Sequence, residues 1–457
     1  MKMFNVLMMV LMMAAPLYSA VNEDQEQIVV CLESEKNMAP VYLSFSAENS
    51  GFDASYLQKL KSVFEFDLNH NGMTEIVKAT NKTDAILKGL SFEDLGRLSD
   101  WKNQGIDYVI KVRIKDKKLE VRFVSVAANS AKTIDGIDLV GNINTDRRKI
   151  HLVSDKIIQV FFNQNGIALS KFLYVAKEKS VDGKDLSSIW EADYDGHNAR
   201  RVTKDAGYCI TPIYIPAKKD CTPGNFMFVS YLTGQSKIYI ASLKDGKAMR
   251  LNDFKGNQLM PAITQNRDQV AFISDYTGNP DLFLQSFNPE TGTTEKPQQI
   301  FALKHATQGS PTFSPDGKKI AFVSNKDGSP KIYVMNIPAK GATTKAIKTE
   351  LISKQNRENS APVWSSDGLK LAYCSMVKGF RQIFVYDFEK RQEFQVTDGA
   401  INKENPTFAP NNLHIIYNST GSNGGQLYLM NLNQSKSVKI SQGNSEKHFP
   451  SFEPFSG

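Results

Sequence analysis

Short apolar runs of strand length recur at a near-constant interval through the C-terminal two thirds of the chain. The clearest copy is Ser310-Pro311-Thr312-Phe313-Ser314-Pro315-Asp316-Gly317, followed by the run Ile320–Ser324. It returns at Ala361-Pro362-Val363-Trp364-Ser365-Ser366-Asp367-Gly368 with Leu371–Ser375, and at Asn405-Pro406-Thr407-Phe408-Ala409-Pro410 with Ile415–Ser419. Weaker copies start at Thr211-Pro212 and Met260-Pro261, and a sixth, Phe449–Pro454, ends the chain. A period of about 40–50 residues predicts stacked units or a propeller.

Each copy resolves into four short runs. The proline run reads as a first strand, with its proline expected at the strand's first residue, where no ladder donor is lost. Asp-Gly then makes a tight turn into a second strand. Third strands follow at Lys237–Ile240, Asp281–Leu284, Lys331–Asn336, Gln382–Asp387 and Gln426–Asn431. Shorter, more polar fourth strands are expected at Met249–Leu251, Phe394–Thr397 and Val438–Ser441. Four antiparallel strands make a blade. One further set, Lys171–Val175, Ser188–Asp193 and Ala199–Thr203, has no proline run before it. The orphan run at Pro450–Pro454 supplies the missing strand. The prediction is an all-β six-bladed propeller over residues 166–457, closed by the C-terminal strand, which leaves no open sheet edge at the junction.

Residues 21–165 lack the repeat and predict a small α/β domain, so the chain as a whole is α+β followed by all-β. Ile28–Leu32 and Val41–Phe45 read as strands. Asp53–Asn69 carries a helical stripe of Leu57, Leu60, Phe64 and Leu68. Ser91-Phe92-Glu93-Asp94 predicts a capping box for a helix through Leu95, Leu98 and Trp101 to Gly105. Tyr108–Ile114 and Leu119–Val126 predict a hairpin about Asp116-Lys117. Thr145 is expected to cap a last helix ending at Gly166. Residues 1–20 have a charged start at Lys2, an apolar run Met3–Ala15 and small residues at Ser19 and Ala20, as a secretory signal does. The exported remainder is expected to be soluble and to carry no membrane span.

The formal net charge is +7. The excess belongs to the repeats, because residues 21–165 are slightly acidic. An exported chain without an arginine–lysine stripe is a poor nucleic-acid binder. An oxidising compartment would permit pairing of Cys209 with Cys221, although an extended strand between them works against the distance, and Cys374 reads as a buried small residue. Enzyme chemistry finds little support. There is no G-x-S-x-G elbow. The histidines His70, His151, His197, His305, His414 and His448 lie in separate segments, with none at metal-ligand spacing from another histidine or a cysteine. His448 alone stands beside a proline run, where a solvent-facing loop histidine is the default. The repeated aromatics Phe313, Trp364, Phe408 and Phe452 read as packing between blades. No cofactor is expected.

An export signal, a small α/β domain and six blades with P-x-[FW]-[SA]-P-D-G strands together resemble the TolB family, periplasmic components of the Tol–Pal system. The resemblance covers essentially the whole chain; the Ser310–Gly317 and Phe449–Pro454 motifs are its specific part. It implies a periplasmic, non-enzymatic scaffold in outer-membrane integrity and constriction at cell division. It implies binding of the peptidoglycan-associated lipoprotein Pal, and of TolA through the mature N-terminus, here Val21–Gln27. In the family Pal docks on the channel face. The positions implied here are Gln258, Met260, Gln308, Ser310, Asn359, Ala361, Glu404, Asn405 and His448, with Ile210 beside them. The competing readings are a sugar- or peptidoglycan-binding propeller and a propeller enzyme of lyase or peptidase-related type.

Overall fold

The computed structural model describes residues 36–179, 182–204, 207–219, 221–293, 295–341, 347–422, 424–434 and 436–454. The signal segment 1–20, the Val21–Gln27 segment, the Ile28–Leu32 strand and Cys31 lie outside them.

The N-terminal region is a mixed sheet of five strands covered by helices. In chain order these are β1 (Ala39–Ala47), α1 (Ala54–His70), β2 (Thr74–Ile76), α2 (Asn81–Leu87), α3 (Leu98–Asn103), β3 (Tyr108–Lys115), β4 (Lys118–Ser125), β5 (Ser130–Asp138) and α4 (Ile143–Phe162). The sheet order is β2-β1-β3-β4-β5, with β1 parallel to both neighbours. The apolar stripe predicted for α1 is real. Leu60, Val63, Phe64 and Leu68 pack with Ile150, Val153 and Ile157 of α4 over the sheet residues Ile110, Val112, Val121 and Phe123. Asp53 caps α1 by accepting the Tyr56 N–H at 2.8 Å, which satisfies one orphan donor of the first turn. The β3–β4 turn is the expected one; Asp116 and Lys117 both take left-handed φ, as a two-residue hairpin loop demands.

Three local expectations fail for identifiable reasons. The capping box belongs not to Ser91 but to Thr80 and Thr83 of α2, a helix the apolar pattern does not show. Ser91 Oγ still accepts the Asp94 N–H, at 3.3 Å, but closes a turn; the helix beyond it starts only at Leu98. Helix α4 is capped by Asn142, three residues before Thr145, and ends at Phe162 with Asn163 left-handed. Asn competes as well as Thr for that position, and either side chain is chemically adequate.

Gly166 is needed for a different purpose. A Cβ there would lie 1.9 Å from Asp155 Oδ1 and 2.9 Å from Asp155 Cα. The same carboxylate accepts the Ala168 and Leu169 N–H groups at 2.9 and 3.1 Å, fixing the chain as it leaves α4. Gly166→Ala is therefore expected to cost about 2 kcal/mol by overpacking. A chemical-denaturation midpoint equal to that of the unsubstituted chain would refute this.

Six four-stranded antiparallel arrangements follow, one of them with an extra two-residue strand. Blade one combines Glu446–Phe452, Lys171–Lys179, Asp185–Asp193 and Arg200–Arg201. The inner strands of blades two to six are Cys209–Tyr214, Gln258–Ile263, Gln308–Phe313, Asn359–Trp364 and Asn402–Phe408. Each inner strand touches the next in order, and that of blade six touches Glu446–Phe452, which in turn touches Cys209–Tyr214. The ring is closed by the C-terminal strand. Its apolar cores lie between blades: Phe313 packs with blade three residues, Trp364 with blade four, Phe408 with blade five and Phe452 with blade six. Cys374 is buried as expected, and neither Cys221 nor Cys374 is held in a disulfide.

The α/β domain sits on the face carrying the third-to-fourth strand turns of blades one and six and the first-to-second strand turn of blade six. Asn433 Nδ2 donates to Gly72 O at 2.8 Å, and His414 Nε2 lies 2.9 Å from His70 O. Burial holds His414 down at about 4, so its imidazole is neutral. At the centre of this seam Tyr194 donates to Asp67 at 2.6 Å. His151 Nδ1 lies 2.9 Å from Asp67 Oδ2, and its Nε2 lies 3.4 Å from Asp195 Oδ2, which also pairs with Arg147. All five side chains are buried or nearly so.

Candidate functional site at the open channel face

With one face covered by the α/β domain, the opposite face is formed by the starts of the inner strands and the second-to-third strand loops. Its geometry begins with the prolines. None of them opens its strand. Pro311 is the fourth residue of Gln308–Phe313, as Pro212, Pro261 and Pro362 are of their strands, and Pro406 and Pro450 are the fifth of theirs. Each is accommodated by a β-bulge. Gly309 pairs with Val323 and Thr312 with Ala321, so Ser310 and Pro311 together oppose Phe322. The same two-against-one arrangement sets Thr211-Pro212 against Phe228, Met260-Pro261 against Phe272 and Ala361-Pro362 against Tyr373. It sets Asn405-Pro406 against Tyr417 and Phe449-Pro450 against Tyr174. A bulge leaves one residue without a ladder bond, which is where a residue lacking N–H costs nothing.

The bulge has a second consequence. The residue before every one of the six prolines is left-handed: Thr211 (φ 48°), Met260 (53°), Ser310 (44°), Ala361 (50°), Asn405 (52°) and Phe449 (51°). Positive φ is uncommon outside glycine and is an outlier for a β-branched residue such as Thr211. All six are half-exposed, although the prolines that follow are buried. Their backbones are tied sideways to the neighbouring blade: Ser310 N–H reaches Met260 Sδ at 3.1 Å and Asn405 N–H reaches Cys374 Sγ at 3.2 Å. Phe449 N–H donates to Asn418 Oδ1 at 3.3 Å. Rigidly held, accessible side chains around a ring are suited to recognition rather than to proton transfer.

The structure divides the expected positions into two sets. Met260, Ser310, Ala361, Glu404 and Asn405 are half-exposed; Gln258, Gln308, Asn359 and His448 are buried. Gln258 Nε2 donates to Asn252 Oδ1 at 2.7 Å, and Asn359 Nδ2 to Asn356 O at 2.9 Å, so both fasten blade seams. Glu404 accepts from Arg381 at 2.8 Å and from Thr420 at 3.0 Å. His448 is no loop residue. It lies inside the inner strand of blade one, 3.2 Å from Glu446, and Gly425 leaves room for its ring, which a Cβ would approach to 2.4 Å. Burial and Lys177 hold its imidazole below the ordinary value, while Glu446 pulls the other way. Thr211 and Phe449 complete the ring and were missed. Their constant offset of one residue before a proline is the signal that identifies them.

Exposed large apolar side chains gather on this face too. Leu232 and Tyr276 stand in second-to-third strand loops, Phe380 opens the third strand of blade five, and Leu303 and Ile401 stand in connectors between blades. Scattered exposed apolar residues are ordinary; five at one face make that face the candidate contact surface.

The family model described as the TolB beta propeller domain matches residues 160–456. A protein TolB homolog of Protochlamydia amoebophila (strain UWE25) is 51% identical over 385 residues, covering 84% of this chain and 82% of the relative. The chain belongs to the TolB family. A protein TolB homolog of Chlamydia caviae is 31% identical over 382 residues, covering 83% of this chain and 82% of its own. The crystal structure of TolB from Acinetobacter baumannii superimposes with a TM-score of 0.74 at 20% identity, covering 92% of this chain and 98% of that one. For a TolB homolog the α/β domain, the six blades and the strand exchanged between chain end and first blade are thus the shared architecture. Among the described residues no helix is long and apolar enough to cross a membrane.

Proposed function

We propose that this TolB homolog is a periplasmic, non-enzymatic scaffold of a Tol–Pal system. It binds the lipoprotein Pal on the open channel face and supports outer-membrane integrity and constriction at division. The observation that carries this reading is the ring of six left-handed, half-exposed residues surrounded by Leu232, Tyr276, Leu303, Phe380 and Ile401. Such a surface offers adaptable apolar anchors, Met260 among them, beside hydrogen-bonding groups at Thr211, Ser310 and Asn405. TolA is the second partner, reached through Val21–Gln27.

Replacing Met260, Tyr276 and Phe380 together by alanine should weaken Pal binding by about 2 kcal/mol or more, because exposed aromatic anchors dominate such contacts. The control changes Lys244, Lys318 and Glu389, exposed residues in turns of the covered face. Titration calorimetry with the soluble Pal domain provides the readout. Equal losses in both variants, or none in the first, would place the partner elsewhere. Retention on peptidoglycan without Pal would favour the sugar-binding reading instead.

A further inference from the structure

In blades two to six the chain turns from inner strand to second strand on the ring face that also carries the α/β domain. The turn is residues 264–268, 314–318, 365–369 and 409–413 in blades three to six, five residues each. In blade two it is residues 215–224, twice that length. The longer loop is folded back on itself: Ile215 N–H donates to Asn225 O at 3.0 Å across its base, and Cys221 N–H donates to Lys218 O at 3.0 Å. The fourth position of every short turn is left-handed: Arg267 (φ 61°), Gly317 (68°), Gly368 (73°) and Asn412 (59°). Glycine adopts this conformation without steric cost and asparagine tolerates it, whereas a long side chain is strained there. Asn412 has a structural use, since its Oδ1 accepts the Asp367 N–H of blade five at 3.2 Å. Among the described residues the Arg267 guanidinium makes no hydrogen bond or ion pair.

Elsewhere in the ring these turns lie close together. A Cβ on Gly317 would come within 3.7 Å of Thr264, and one on Gly368 within 3.5 Å of Pro315. Between blades two and three the close approach gives way to a cavity of ≈ 220 Å³. Ile215, Pro216 and Ala217 of blade two and Pro289 of blade three give it apolar walls, and Lys218 and Arg267 its cationic edge. Lys218 Nζ lies 3.4 Å from Glu290 Oε1 in an exposed pair. Asp268, next to Arg267, is held by its own turn, its Oδ1 accepting from Thr264 Oγ1 at 2.5 Å. Arg267 is thus the lining cation left without a carboxylate among the described residues. Two departures from the repeat, a doubled loop and an arginine in a glycine's conformation, meet in one cavity. Backbone strain retained where sister blades avoid it clusters at ligand sites.

The geometry points to a carboxylate pocket between blades two and three, in which Arg267 receives the C-terminal carboxylate of a peptide and the apolar walls hold its last small side chains. A planar guanidinium matches a carboxylate with two parallel hydrogen bonds, and it stays charged at every pH the protein meets. The volume falls below the roughly 300–1,000 Å³ of sites for drug-sized ligands. It therefore admits a chain end with small aliphatic side chains and excludes a bulky one. One charged anchor with a small apolar contact sets the expected dissociation constant at about 1 mM. The pocket lies on the opposite face from the ring of left-handed residues, so this inference does not depend on where Pal binds.

The exposed thiol of Cys221 lines the same cavity and reports its occupancy. The test uses the full exported chain, alkylated with iodoacetamide in the presence of N-acetyl-alanylalanine, its carboxamide, propionate or inorganic phosphate. Alkylation is followed on the peptide carrying Cys221 by mass spectrometry, and ligand-observed NMR measures binding directly. Saturable protection and binding by the peptide acid, absent with the carboxamide and with phosphate, are expected. Arg267→Gly restores the residue of blades four and five; it should abolish both signals and melt at or above the temperature of the unsubstituted protein, because glycine relieves the left-handed strain. Equal effects of acid and carboxamide, protection by phosphate, or no binding of the peptide acid would overturn the proposal. So would an Arg267→Gly protein that melts lower, since the arginine would then serve the fold. Propionate acting as strongly as the peptide acid would uphold the carboxylate pocket and make a free organic acid its ligand.

Discussion

Removing Phe449–Gly457 should abolish cooperative folding of the propeller. The inner strand of blade one would lose Phe449, Pro450, Ser451 and Phe452, keeping only its first residues against Lys177, Ala176 and Val175. Leu173 and Phe172 would face an open edge. Phe452 also fills the seam with Ala409, Ile416 and Leu427 of blade six, and Phe449 packs against the seam with blade two. One deletion therefore opens both seams of blade one and leaves an unpaired apolar edge, which templates aggregation. We expect the truncated protein to be insoluble, or to melt over a broad range without a single transition. Phe452→Ala keeps the strand and its hydrogen bonds and removes only the wedge; it should cost about 3–5 kcal/mol and leave a cooperative transition. A truncated chain that melts as sharply and as high as the full one would show that the ring does not depend on its exchanged strand.

The ring was legible in the sequence because its signal is repeated. A proline, an aromatic two residues on and a turn recur at one spacing, and each copy corroborates the others. The bulge was not legible, although the same facts contain it. Proline is admitted at a strand's start and at a bulge alike. Only the pairing partner, such as Phe322 standing against both Ser310 and Pro311, separates the two cases. That choice decides which residues reach the channel face. With the proline at the start, Gln308 and Asn359 are outward contacts; with the bulge they are buried and the left-handed residue beside the proline is outward. In the α/β domain there is a single copy of each element. Helix α2 carries too few apolar residues to show a stripe, with Thr83 its one buried side chain. Nor can spacing reveal that Asp67, His151 and Asp195 meet, since their approach depends on how the two regions dock.

That docking supplies the second large effect. Asp195→Ala should cost about 3–5 kcal/mol, because it removes the carboxylate shared by Arg147 and His151 and leaves buried charge uncompensated. Burial alone would drive the His151 imidazole down, but Asp67 on one side and Asp195 on the other outweigh it and push it up to about 10. Burial likewise opposes the Asp195 charge, and His151 with Arg147 reverses that, holding the carboxyl well below its usual range. Tyr194, Asp155 and His197 are other titratable groups nearby; burial and Arg147 hold the His197 imidazole below its ordinary value. Burial raises Tyr194 and Asp155, the latter to about 6, so Tyr194 stays neutral throughout. The sign for His151 follows from its raised value. Its contribution to stability is fully present below about 6.5, the unfolded value, shrinks as pH rises, and is lost as pH passes through about 10. Asp195→Ala lowers the folded-state value and should flatten the decline between those limits. Denaturation midpoints of both proteins, measured at intervals from pH 6 to 10, isolate this part, since titrations elsewhere are common to the two curves. Parallel curves offset by a constant would mean that the carboxylate holds the seam without charging the imidazole. Coincident curves would remove the polar seam from the account of how the α/β domain and the ring are joined.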